Sequence, residues 1–173
     1  MAHLNIEIKA RCAEPDAVAD ALIDAGAEHH GRDHQIDTYF TPAQGRLKLR
    51  QGTIETALIH YDRPAVSGPR PARVELYHPV GAQQAARLRE VLSAALDTLV
   101  VVDKRREIYY AENVKFHIDD VTGLGRFVEI EAIDADGHLG EDHLRGQVDQ
   151  WMETLRISKD DLLAESYSDL LLG

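Results

Sequence analysis

The feature that most restricts the fold is a two-residue alternation that returns in segment after segment. In Leu4-Asn5-Ile6-Glu7-Ile8-Lys9-Ala10-Arg11 the apolar side chains take every second position and the polar ones the rest. Successive side chains of a strand point to opposite faces, so one face is oily and the other carries a carboxylate beside an ammonium. Arg46-Leu47-Lys48-Leu49-Arg50 puts all three cations on one face and both leucines on the other. Ile59, Tyr61 and Arg63 share a face before Pro64 ends that strand, and Arg73 and Glu75 share one in Arg73–Tyr77. Val102, Lys104 and Arg106 lie together in Leu99–Tyr110, His117 and Asp119 in Val114–Asp119, and Phe127, Glu129 and Glu131 in Arg126–Ile133. With Gln35–Phe40 these segments make about eight short strands, mostly joined by tight turns such as Pro42–Gly45 and Glu112-Asn113.

Helical stretches interrupt the series. Pro15 and Asp16 open a helix with the stripe Val18, Ala21, Leu22 and Ala25, closed by Gly26. Ala82–Asp97 and a segment carrying Leu144, Val148, Trp151, Met152 and Leu155 show the same period. Ser158-Lys159-Asp160-Asp161 reads as a capping box, and Ser166–Leu172 is the last element. Glu28–His34 reads as a polar loop whose His29, His30 and His34 are solvated rather than metal-bound. The expected fold is α+β: an eight-stranded antiparallel β-barrel with flanking helices, one domain over residues 1–173.

Composition narrows the partners. The chain holds 19 Lys and Arg against 30 Asp and Glu, a net charge of −11. Such a chain gains little from non-specific attraction to nucleic acid or anionic lipid, so neither is an expected partner. A single cysteine, Cys12, fits a reducing compartment, and no apolar run reaches membrane-spanning length; a cytoplasmic location is expected. External helices leave room for a homodimer.

The cations on strand faces are Lys9, Arg46, Lys48, Arg50, Arg63, Arg73, Lys104 and Arg106; the acids are Glu7, Glu75, Asp119, Glu129 and Glu131. On one strand such charge meets water and means little. Converging inside a barrel, it requires a compensating ligand. Arginine forks hold phosphate oxygens and lysine adds a point charge, which points to a triphosphate. Hard oxygen donors among phosphate binders point to Mg²⁺ or Mn²⁺, with Glu129 and Glu131 reaching one ion and Glu7 and Asp119 completing the group.

Glu7-Ile8-Lys9, Lys48 with Arg50, Arg63-Pro64, Lys104 with Arg106, Asp119 and Glu129-Ile130-Glu131 fall in the order of the CYTH superfamily, which the chain resembles from Asn5 to about Leu172. These are the triphosphate tunnel metalloenzymes, including class IV adenylyl cyclases and thiamine triphosphatase. Asp37-Thr38-Tyr39-Phe40, Gly45–Arg50, Val121–Gly125 and Ser166–Leu171 resemble the class IV cyclase-like branch. The resemblance implies an eight-stranded tunnel. In it Lys9, Lys48, Arg50, Arg63, Lys104 and Arg106 contact phosphate, and Glu7, Asp119, Glu129 and Glu131 hold Mg²⁺ or Mn²⁺. Arg46 and Arg73 join the substrate contacts on strand parity. The signature Glu-x-Glu-x-Lys departs here at its first acid, which is Asn5. Three functions follow as expectations: conversion of ATP to cyclic AMP and pyrophosphate, hydrolysis of an inorganic or organic triphosphate, or binding without turnover. Lys9 is the candidate for proton transfer, whereas His117 is read as a packing or hydrogen-bonding residue.

Overall fold

The computed structural model describes residues 3–173. In chain order the elements are β1 (His3–Arg11), α1 (Pro15–Asp24), β2 (Glu28–Phe40), β3 (Arg46–Gly52), β4 (Ala57–Asp62), β5 (Arg70–Tyr77), α2 (Gly81–Ala95), β6 (Thr98–Ala111), β7 (Val114–Val121), β8 (Gly125–Asp134), α3 (Glu141–Thr154) and α4 (Tyr167–Leu172). The strands close into an antiparallel barrel in the order β1-β5-β4-β3-β2-β6-β7-β8. Among the described residues no helix is long and apolar enough to cross a membrane.

The alternation sets which way each strand faces. Ile6, Ile8, Phe116, Ile118 and Ile130 point outward from β1, β7 and β8 and are covered by α1 and α3 through Leu22, Leu144, Val148 and Met152. Trp151 meets Phe116 edge-on, ring centres 4.6 Å apart. The main apolar core therefore lies outside the barrel, and the polar faces turn inward.

Each end of the barrel carries its own structure. At one end Tyr39, Val102, Val121, Phe127 and Tyr167 form a second core with Leu170 and Leu171 of α4. Beyond α3 the chain runs beside β1, where Ala10 bridges Leu162 and Leu163 N–H donates to Lys9 C=O at 2.9 Å. That course delivers α4 across the barrel end. A capping box of Ser166 and Asp169 starts this helix. At the other end the β3–β4 loop folds over buried Asp33, whose carboxylate accepts from Thr53 Oγ1, Ile54 N–H and Glu55 N–H at 2.8–2.9 Å. A Cβ on Gly52 would stand 2.5 Å from the Glu55 carbonyl and 2.7 Å from the Asp33 carboxylate, so the turn requires glycine.

Two local expectations are corrected. Glu28–His34 is the first half of β2, paired with β6 through a bulge between His29 and Gly31. That stretch is polar throughout and mostly exposed, with Asp33 its one buried residue, so no apolar period marks it. His29 and His34 bond Glu107 and Asp103, each at 2.8 Å. Ser158 caps only a single 3-10 turn, Lys159–Asp161, its Oγ accepting from Asp160 N–H; the reciprocal capping box stands at Ser166 instead.

Candidate active site in the barrel interior

The inward positions meet in one cavity of about 410 Å³. Asn5, Glu7 and Lys9 reach it from β1, Lys48 and Arg50 from β3, Lys104 and Arg106 from β6, and Glu129 and Glu131 from β8. Arg63, one residue beyond β4, joins them, as do Lys115 and His117 from β7. Register sets Lys9 across from Glu129, an opposite-charge pair, and Glu7 across from Glu131, two carboxylates side by side, while His117 faces Glu129 from the other side.

The arginines are held in place before any ligand arrives. Asp37 takes two bonds from Arg50 at 2.9 Å and one from Lys48 at 3.0 Å. Asp119 takes two from Arg106, at 2.7 and 2.6 Å, and Arg106 reaches Glu129 at 2.6 Å as well. Arg63 pairs with Glu7, and Lys9 with Glu129. Lys9 also sits 3.5 Å above the Tyr167 ring, a cation–π contact that ties the site to α4.

Lys104 is the exception to this pairing. Its side chain is 1% exposed, and the Asp37 and Asp119 carboxylates stand 3.7 and 3.8 Å from its Nζ, beyond hydrogen-bond length. Burial, then Arg106 and Arg50, push its pKa well below that of an ordinary lysine, despite both aspartates. Burial also lowers Lys9, with Arg63 adding to it and Glu129 opposing. Burial and Arg106 bring His117 down to about 3, so its imidazole is neutral; its Nδ1 lies 3.0 Å from Glu129 and its Nε2 has no partner among the described residues. For Glu129 burial acts upward, but Lys9 and Arg106 overcome it and hold the carboxylate ionised. Glu131 goes the other way, raised by burial and then by Glu7.

A divalent cation fits this donor set by chemistry. Glu7, Glu129 and Glu131 are hard oxygen donors crowded along the β1–β8 ladder, with Glu131 raised by burial first and by Glu7 second. Asn5 donates its Nδ2 to Glu131 at 2.7 Å and leaves a buried Oδ1 without a partner among the described residues. The arrangement is not a ready-made cage. Among the described residues no three His, Cys, Asp or Glu side chains stand grouped for ligation, and Glu7 and Glu129 are engaged by cations.

Three candidates from the sequence lie elsewhere. Arg73 is exposed on the outer face of β5 and pairs in register with Asp62. The strand begins at Arg70, and Arg70, Ala72 and Val74 are its inward positions, so the parity read from Arg73 and Glu75 was the outer one. Arg46 has inward parity, but its guanidinium is spent on α4, bonding Ser166 at 2.8 Å and Asp169 at 2.9 Å. Asp119 is buried behind Arg106 and also accepts from the Tyr167 hydroxyl at 2.7 Å, so it orients Arg106 and is withdrawn from the cavity wall. Four further charged residues, not singled out from the sequence, belong to the site. Asp37 anchors Lys48 and Arg50; Arg70 donates to Glu7; Glu55 and Lys115 pair with each other on the cavity wall. Parity marked three of these, since Asp37 alternates with Tyr39, Lys115 with His117, and Glu55 with Ile59 and Tyr61. Arg70 was hidden because Pro71 obscured the strand start.

The family model described as the CYTH domain matches residues 3–167. The chain belongs to the CYTH family. A Methanocaldococcus jannaschii protein provisionally named an adenylate cyclase is 25% identical over 96% of this chain and 98% of its own length. The adenylate cyclase CyaB of Aeromonas hydrophila is 28% identical over 97% of this chain and 88% of its own. Among solved structures, PH1012 of Pyrococcus horikoshii superposes with a TM-score of 0.79 at 21% identity, covering 96% of this chain and 98% of that one. A Hippeastrum protein, provisionally named an adenylyl cyclase and described as revealing a dominant triphosphatase activity, has a TM-score of 0.60 at 14% identity, over 98% of this chain and 94% of that one. These two structural likenesses establish the shared fold.

Proposed function

We propose that this CYTH protein is a metal-dependent enzyme that holds a triphosphate inside the barrel and breaks one of its P–O bonds. The observation that carries the reading is Lys104, buried with both neighbouring carboxylates beyond hydrogen-bond length and engaged by other cations, in a group of Lys and Arg that share one cavity. A polyphosphate supplies the anion this field lacks.

In this reading Lys48, Arg50, Arg63, Lys104 and Arg106 bind the phosphate chain. Asp37 and Asp119 fix Arg50 and Arg106 by paired bonds, so these donors need little reorganisation when phosphate enters. Glu129 and Glu131, with Glu7 once released from Arg63 and Arg70, would hold Mg²⁺ or Mn²⁺. That ion, when bound, neutralises charge developing on the phosphate oxygens. Lys9, its pKa lowered by burial, would in its neutral amine form take the proton of the attacking group, and His117 keeps the Glu129 carboxylate oriented.

The adenylate cyclase names of both relatives make cyclisation the first reading: the ribose 3′-hydroxyl of ATP attacks the α-phosphorus and pyrophosphate leaves. The Hippeastrum protein supports hydrolysis as the second, water attacking a terminal phosphorus. Phosphorus NMR after incubation with ATP or tripolyphosphate, with Mg²⁺ and Mn²⁺ in parallel, separates them. Cyclic AMP with pyrophosphate supports the cyclase; orthophosphate supports the hydrolase. Binding of both compounds without turnover would leave a binding module and overturn the enzyme.

A further inference from the structure

One carboxylate in the cavity is not explained by holding a phosphate or a metal. Glu55 stands on the β3–β4 loop, which lies over Asp33 of β2, and its side chain reaches on past β6 to Lys115 of β7. Three donors meet on it. Lys115 Nζ pairs with Oε1, while Arg50 Nη1 and Gln35 Nε2 approach Oε2 at 3.4 and 3.3 Å. An arginine, a lysine and an amide converging on one pair of oxygens are the donors that a phosphate group takes. Burial acts to raise the Glu55 carboxyl, but Lys115 and Arg50 outweigh it and keep the group ionised. Glu55 therefore fills an anion position one step beyond Arg50, and the cation at that step is already paired.

The loop holds this carboxylate in place. Asp33 is fully buried and accepts from Thr53 Oγ1 and from the Ile54 and Glu55 N–H groups, so lifting the loop would strand its charge. Thr56 Oγ1 closes the turn by donating to the Gly52 carbonyl at 3.3 Å. Glu131 faces Lys115 in register from β8 but takes its hydrogen bond from Asn5, which leaves Glu55 as the bonded partner of Lys115.

We infer that Glu55 is a specificity-determining residue that limits the length of phosphate chain the site accepts, by occupying the next anion position and withholding Lys115 from the ligand. The inference rests on the proposed triphosphate site and names where its row of cations ends. Lys48, Arg50, Arg63, Lys104 and Arg106 remain for the triphosphate. A phosphate added beyond them meets a carboxylate instead of a free ammonium, and like charges repel there. Removing the Glu55 charge lengthens the row by one cation.

Isothermal titration in EDTA tests this without turnover, with linear tripolyphosphate and tetrapolyphosphate as probes. The proteins are the wild type, Glu55→Gln, and Glu55→Gln combined with Lys115→Met. Glutamine keeps the backbone N–H that Asp33 holds, and tripolyphosphate binding by each variant reports an intact site. The wild type should bind tetrapolyphosphate no more than about twofold tighter than tripolyphosphate. In Glu55→Gln the ratio should rise at least ~10-fold in favour of the longer chain, the gain of one charge-assisted contact. The double variant should return to the wild-type ratio, because the added contact is Lys115. A brace for Arg50 alone would shift both affinities together and leave the ratio unmoved. An unchanged ratio in Glu55→Gln, a rise that survives loss of Lys115, or a wild type that already prefers tetrapolyphosphate ~10-fold would overturn the inference while leaving the phosphate site standing. Failure of the wild type to bind either probe would overturn the phosphate site and the inference with it.

Discussion

At the scale of single residues, the interior separates two kinds of cation. Arg106 neutralises Asp119 and shares Glu129 with Lys9, so removing it strands the fully buried Asp119 carboxylate. Lys104 neutralises little, because Asp119 keeps Arg106 and Asp37 keeps Arg50 and Lys48. Arg106→Met should therefore cost about 3–5 kcal/mol, the usual penalty for breaking a buried pair on one side. Lys104→Met should be neutral or stabilising by ~1–2 kcal/mol, since it removes a desolvated charge held for function. Urea denaturation of the ligand-free proteins gives both values. Comparable losses in the two variants would contradict the assignment of Lys104 as the cation awaiting an anion.

At the scale of elements, α4 is the part whose docking depends on charge. Burial tends to raise the Asp169 carboxyl, but bonds from Arg46 and Ser166 bring it down to about 2, against an ordinary 3.8. A carboxyl depressed on folding adds stability that is fully present above its unfolded value and is lost as pH falls through the folded one. The docking of α4 should accordingly weaken between about pH 4 and pH 2. In Asp169→Asn this acid-dependent loss should be absent, with α4 already loosened at neutral pH. Hydrogen exchange of the α4 amides against pH measures it; identical profiles for both proteins would contradict the role given to Arg46–Asp169. The same element shows what sequence alone conveys. Ser166–Leu172 is recognisable as a terminal element, but that it seals the barrel depends on Leu162 and Leu163 running beside β1. That pairing leaves no local mark. Arg46 was misread for this reason: its parity is inward, and only the position of α4 decides what it meets.

At the scale of the whole molecule, the barrel and the convergence of six cations were legible, because alternation places side chains by parity and antiparallel pairing does the rest. Parity failed where a strand boundary was misplaced, as at Arg70 and Arg73, and where both faces are polar, as in Glu28–His34. It also could not distinguish Asp119, which braces Arg106, from Glu129, which lines the cavity. The fold concentrates opposite signs in different places. The chain carries −11 overall, yet the cavity wall holds seven Lys and Arg against four glutamates among the described residues. A field of that kind draws an anion to the interior alone.

The most direct test is calorimetric titration of the wild-type protein with tripolyphosphate in EDTA at two salt concentrations, beside Lys104→Met. The account predicts one site per chain, an affinity that falls as salt rises, and at least ~10-fold weaker binding in the variant. No binding by the wild type, or equal binding by Lys104→Met, would contradict it.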